Sequence, residues 1–169
     1  MRKFASLSSL FLALTILGAA PSLADDAACK SFKWDLSREQ GWLQASPPAL
    51  ASGATLAKPE GAAALLLSPV DGLAFAVTPE HKPAAGSFGA VLSLPALDKA
   101  AIYQVTLSDE GWIDVIQDGA SLKSGAFSGA KGCPGLRKSV RFPVGAFPVV
   151  LQLSGIPQDT IKIGIRPAQ

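Results

Sequence analysis

Four carboxylates crowd into ten positions of this chain: Asp109, Glu110, Asp114 and Asp118, within SDEGWIDVIQDG. Paired carboxylates perform glycoside hydrolysis, one as acid and the other as base or nucleophile. A hydrolase using Asp114 with Asp109 or Glu110 is therefore one reading. Turn chemistry accounts for three of the four. SDEG is a turn sequence, and Asp118-Gly119 is a hairpin signal, because a type I′ turn needs positive φ at both central positions. Asp114 is different. In a strand it shares a face with Trp112 and Ile116, so it must be hydrogen-bonded or paired. An Arg or Lys across the sheet is the expected partner, and a ligand or metal contact is the functional alternative.

Other chemistries meet sharper limits. The single histidine, His81, sits in the Pro-flanked loop TPEHKPAAGS. That rules out the two-His-one-carboxylate iron triad and zinc sites that need two or three His. A Ser-His-Asp triad would have to be built on that loop. Ser128 and Lys131 match S-x-x-K, but SGAKGCPG cannot form the helix that presents both side chains, and the S-D-N and K-T-G companions are missing. No G-x-S-x-G elbow, EF-hand loop or phosphate-cradling glycine motif occurs. No catalytic residue, metal or cofactor is assigned. Trp34, Trp42 and Trp112 could stack on sugars, but in a sandwich aromatics belong first to the core.

The elements that would hold these groups belong to an exported chain. Arg2 and Lys3 precede an apolar run from Phe4 to Ala20, broken by Gly18 and Pro21 and followed by Ser22-Leu23-Ala24. This is a signal peptide, with cleavage expected after Ala24. It is too short and interrupted for a membrane span, which needs about 20 apolar residues. Residues 25–169 then form one periplasmic domain of ordinary size. Cys29 and Cys133 read as a disulfide in that compartment. A lipidated Cys29 is the lesser alternative, because DAAC lacks the usual Leu three residues before the Cys.

Without residues 1–24 the chain holds 13 Lys plus Arg against 13 Asp plus Glu, but the charges are unevenly placed. Residues 25–118 carry 6 basic and 12 acidic groups, whereas residues 119–169 carry 7 basic groups and only Asp159. Such asymmetry marks either a polyanion-binding face or two halves that neutralise each other in the fold.

SFKWDL alternates Phe32, Trp34 and Leu36 against Lys33 and Asp35, the period of a half-buried strand. Ser37 and Gln40 fit a capping box for one or two helical turns, and Gly41 is expected to keep that helix short. Residues 45–61 read as a surface connection. Short strands follow: AAALLLS, LAFAV, FGAVLSL, IYQVTL, WIDVIQ, ASLKSGAF, and segments near 136–142, 147–154 and 160–166. Eight or nine strands at this spacing predict an all-β antiparallel β-sandwich, jelly-roll or Ig-like, with one short N-terminal helix and one disulfide. Ile161, Ile163 and Ile165 should face the core, with Lys162 and Arg166 on a wet face. In LRKSVRF the outward set is Arg137, Ser139 and Arg141, with Lys138 snorkelling from the inward row. If these strands are neighbours, Arg137, Arg141, Lys162 and Arg166 form one basic patch.

The layout YQVTLSDEGWIDVIQDGASLKS followed by CPGLRKSVRFPVGAFPVVLQLSGIPQDTIKIGI resembles bacterial pre-peptidase C-terminal domains, small secreted β-sandwiches, over about residues 101–165. The whole exported chain is also similar to small bacterial envelope proteins that begin C-K-x-F-K-W. Some of these carry the label homogentisate dioxygenase, an iron chemistry that one His does not support. Periplasmic lysozyme inhibitors are similar in shape alone.

These features together predict a non-catalytic periplasmic binding or accessory module. It would recognise an anionic envelope polysaccharide or another envelope protein through Arg137, Arg141, Lys162 and Arg166, with Trp112 and Asp114 as further contacts. Neither nucleic acid nor a membrane span is expected. The alternatives are a loop-based inhibitor or chaperone-like partner of an envelope enzyme, acting through TPEHKPAAGS or SGAKGCPG, and the Asp114 hydrolase.

Overall fold

The computed structural model describes residues 27–169, so the signal peptide expected at 1–24 lies outside the described residues. Two sheets pack face to face. The six-stranded sheet runs β1 (Ala49–Ala51), β2 (Gly61–Leu66), β11 (Thr160–Pro167), β5 (Ala101–Leu107), β9 (Lys138–Val144) and β8 (Ala126–Gly129). The five-stranded sheet runs β3 (Ser68–Pro69), β4 (Phe88–Leu94), β10 (Val149–Ile156), β6 (Trp112–Gln117) and β7 (Ala120–Ser121). This is the expected all-β sandwich with its disulfide, Cys29 to Cys133. The eleven strands exceed the expected eight or nine because β1, β3 and β7 span only two or three residues. β1 pairs with β2 in parallel, and the remaining strand pairs are antiparallel.

Period-2 alternation builds the core. Leu65, Leu107 and Ile163 from one sheet meet Leu92, Leu151 and Leu153 from the other, all fully or nearly fully buried. Asp118 and Gly119 take φ of 52° and 76°, so the β6–β7 hairpin has positive φ at both central positions, as its sequence requires.

The outer faces correct the expectation of wet surfaces. Helix α1 (Ser37–Gln44) lies across β2 and β11, with Glu39 and Trp42 close over Gly164. A Cβ there would stand 3.5 Å from Glu39 Cγ and 3.7 Å from Trp42 Cε3. The helix runs through Gly41 for eight residues, and the expected capping box is absent. Instead the Ser37 amide and hydroxyl both donate to Asp35, at 2.9 Å each, which lowers the Asp35 pKa.

Two expected strands are irregular. SFKWDL keeps its alternating burial but forms no ladder. Its polar groups bond to side chains instead, the Lys33 amide to Ser128 Oγ at 2.9 Å and the Trp34 indole to Ser139 Oγ at 3.2 Å. Phe32, Trp34 and Leu36 join Leu43, Cys133 and Leu136 in a second apolar cluster outside the larger sheet. LAFAV lies over the outer face of the smaller sheet, where Gln152 Oε1 accepts from the amides of Ala76 and Val77 and Gln152 Nε2 donates to the Val77 carbonyl. One glutamine side chain replaces a ladder.

Among the described residues, no helix is long and apolar enough to cross a membrane.

Candidate functional site

The four basic residues do not form one open patch. β5 separates β9 from β11, so Arg141 and Arg166 share a row only through Gln104 between them, and Arg137 lies just before β9. Each is engaged within the molecule. Arg166 is 4% exposed, and its Nε donates to Glu39 Oε1 at 2.6 Å. Lys162 Nζ donates to the Leu43 carbonyl at 2.6 Å, satisfying the end of α1. Arg141 lies 4.2 Å from the Trp34 ring centroid and donates to Gln104 Oε1 at 2.9 Å. Arg137 pairs with Glu110, its Nε at 2.7 Å. The Arg166–Glu39 and Arg137–Glu110 pairs both join the basic end of the chain to its acidic part.

Asp114 is buried on the outer face of β6, beneath the 73–87 segment. Its partners are the Glu80 backbone amide and the side-chain amide of Gln152, the residue opposite it on β10, rather than the expected Arg or Lys. Burial is the larger influence and raises its pKa, against the lowering effect of those hydrogen bonds and of nearby His81. Asp109 accepts from Gln158 and from the Glu110 amide, while the Glu110 carboxylate is turned to Arg137. The three carboxylates of the hydrolase reading thus have separate partners. Among the described residues, no three His, Cys, Asp or Glu side chains converge as a metal site. The two loops of the inhibitor reading are both anchored. His81 stacks on Trp112 at 3.6 Å with the rings 2° from parallel, and Cys133 is tied to Cys29.

No tryptophan belongs to the main core. Each carries a cation: Arg38 lies over Trp42 at 4.7 Å, Arg141 over Trp34, and Lys138 over Trp112 at 4.4 Å. Trp112 stays 41% exposed. It stands on one wall of a cleft of about 420 Å³ formed where the sandwich fails to close. β7 ends after two residues, so the inner side of β8 has no strand opposite it. Phe127 points inward beside Val140 but remains 60% exposed for that reason. Val140 and Phe142 form the apolar floor, and Glu80, Glu110, Arg137 and Lys138 surround the opening. Lys138 snorkels as expected, its ammonium bonded to the Gly111 carbonyl at 2.6 Å, and burial lowers its pKa.

No family model, curated protein or solved structure matches this chain.

Of the expected contacts, the open seam brings together Trp112 and Arg137. It leaves Arg141, Lys162, Arg166 and Asp114 elsewhere. From sequence, a Phe alternating in a strand, as Phe127 does, reads as core, and Lys138 reads only as a snorkelling side chain. Only the early end of β7 leaves the Phe127 ring without an opposing strand, and the Lys33 ammonium lies over it, 5.2 Å from its centroid.

Proposed function

We propose that this protein is a non-catalytic binding module of the periplasm whose partner is another envelope protein, received as an extended segment in the open seam between β6 and β8. The carrying observation is Phe127, an inward-facing side chain on an edge strand that no opposing strand covers. An unpaired edge offers backbone donors and acceptors to an added strand, and the pocket beneath it selects side chains. Exposed aromatics beside an Arg are also the composition of protein-binding hot spots. The charges around the seam are of both signs, which suits a peptide better than a polyanion.

A photo-crosslinking residue at Phe127, placed in the full-length protein in intact cells, tests this. One defined adduct is expected, lost when Gly129→Pro spoils the edge and retained when Arg141→Ala alters the outer face. A thermal-shift panel of anionic glycans, peptidoglycan fragments and neutral sugars at two salt concentrations tests the rival polymer reading. A salt-sensitive shift with polyanions, abolished by Arg137→Ala and accompanied by no adduct at Phe127, would replace the protein partner by a polymer.

A further inference from the structure

We propose that the opposite seam of the sandwich binds a single-chain anionic amphiphile, an unbranched aliphatic carboxylate of the fatty-acid class. This goes beyond the protein-binding reading and does not depend on it. After β1 the chain crosses from one sheet to the other and runs beside β4, where the Gly53 amide donates to the Val91 carbonyl at 2.7 Å and the Leu56 amide to the Ser93 carbonyl at 2.9 Å. The crossing leaves a pocket of about 380 Å³ between the sheets, within the roughly 300–1,000 Å³ typical of small-molecule sites.

The lining defines the ligand. Leu50 and Leu56 form walls, and Ala63, Ile163 and Ile165 are buried at the base. Thr55, Lys58 and Glu60 are the only polar side chains of the lining. Glu60 is neutralised by Arg38, whereas no carboxylate pairs with Lys58 among the described residues. The mouth therefore has one uncompensated positive charge above an aliphatic interior. A carboxylate at Lys58 with its alkyl chain against Ile163 and Ile165 satisfies both. A peptide or sugar would bring polar groups that this interior cannot bond. Ile165 also borders a void of about 20 Å³ deeper between the sheets, so the base of the pocket adjoins packing slack.

The experiment is titration calorimetry of the oxidised, full exported protein with octanoate, decanoate and dodecanoate below their micellar concentrations, and with dodecyltrimethylammonium. One-to-one binding is expected, tightening about fourfold per methylene, the value of burying one CH₂. Lys58→Glu, at an exposed position, is expected to weaken dodecanoate at least tenfold and to favour the cationic analogue. Leu56→Asp should abolish both, while Phe127→Asp in the other seam should leave them unchanged. Absence of saturable binding by every chain overturns the proposal. So does dodecanoate affinity indifferent to Lys58→Glu, or affinity lost with Phe127→Asp rather than with Leu56→Asp. Should Leu56→Asp fail to fold, the head-group reversal in Lys58→Glu decides alone.

Discussion

Glu39 of helix α1 and Arg166 of the last strand lie 127 positions apart and meet at 2.6 Å with both side chains buried. Gln104 donates to the same Glu39 oxygen and in turn accepts from Arg141, which lies over Trp34. One chain of contacts thus joins the N-terminal layer to three strands of the larger sheet. Glu39 Oε2 has no partner among the described residues, so both hydrogen bonds fall on Oε1, and Arg166 supplies the paired charge.

Removing one member of a buried pair leaves an uncompensated charge, which costs about 3–5 kcal/mol. Arg166→Met is expected to lose stability on that scale in urea unfolding. Replacing the pair together, Glu39→Leu with Arg166→Met, should recover to within about 1 kcal/mol of the wild type or exceed it. A double variant as unstable as the two single losses added would show that the residues are not coupled.

Asp114 gives a pH signature. Its pKa is raised on folding from an ordinary value of 3.8, so the folded state holds its proton longer than the unfolded chain does. Stability from this group therefore falls as pH climbs from about 4 to the raised folded value, and is constant above it. Asp114→Asn removes that dependence. Thermal midpoints across pH 3–8 should show the variant gaining on the wild type through this window, with no further gain at higher pH. A gain that grows on acidification would contradict the burial-dominated shift.

Gly155 bends β10 away from its regular register with β4, at a φ of 67°. A Cβ there would stand 2.9 Å from Trp112 Cδ1. Gly155→Ala should cost about 1–3 kcal/mol, because backbone strain is joined by a clash. Its tryptophan emission should also change as the His81 stack is displaced. An unchanged unfolding midpoint would mean that the bulge relaxes without penalty.

Reduction of Cys29–Cys133 opens a loop closed across a separation of 104, worth about 4–5 kcal/mol by chain entropy. Hydrogen exchange after mild reduction should rise first in residues 29–45, which the disulfide and the second apolar cluster hold against the larger sheet. Uniform loss of protection in both sheets would instead make the N-terminal layer part of one cooperative unit.

Most of the architecture was legible in the chain. Alternation placed Ile161, Ile163 and Ile165 inside, Asp118-Gly119 specified its hairpin, and the two cysteines specified each other. These signals are local or obey the two-residue period of a strand, so they survive without knowledge of the fold. What covers the outer faces was not legible, because the covering segments bond through single side chains. Gln152 holds 76–77, Ser128 and Ser139 hold 33–34, and Glu39 holds Arg166. A ladder repeats and leaves a pattern, whereas one glutamine leaves none. The same limit applied to function. The single histidine and the basic residues were visible in the sequence alone. Tertiary structure turned those residues to internal partners and left Phe127 without an opposing strand, because strand order and the short β7 decide which groups meet and which side of an edge stays open.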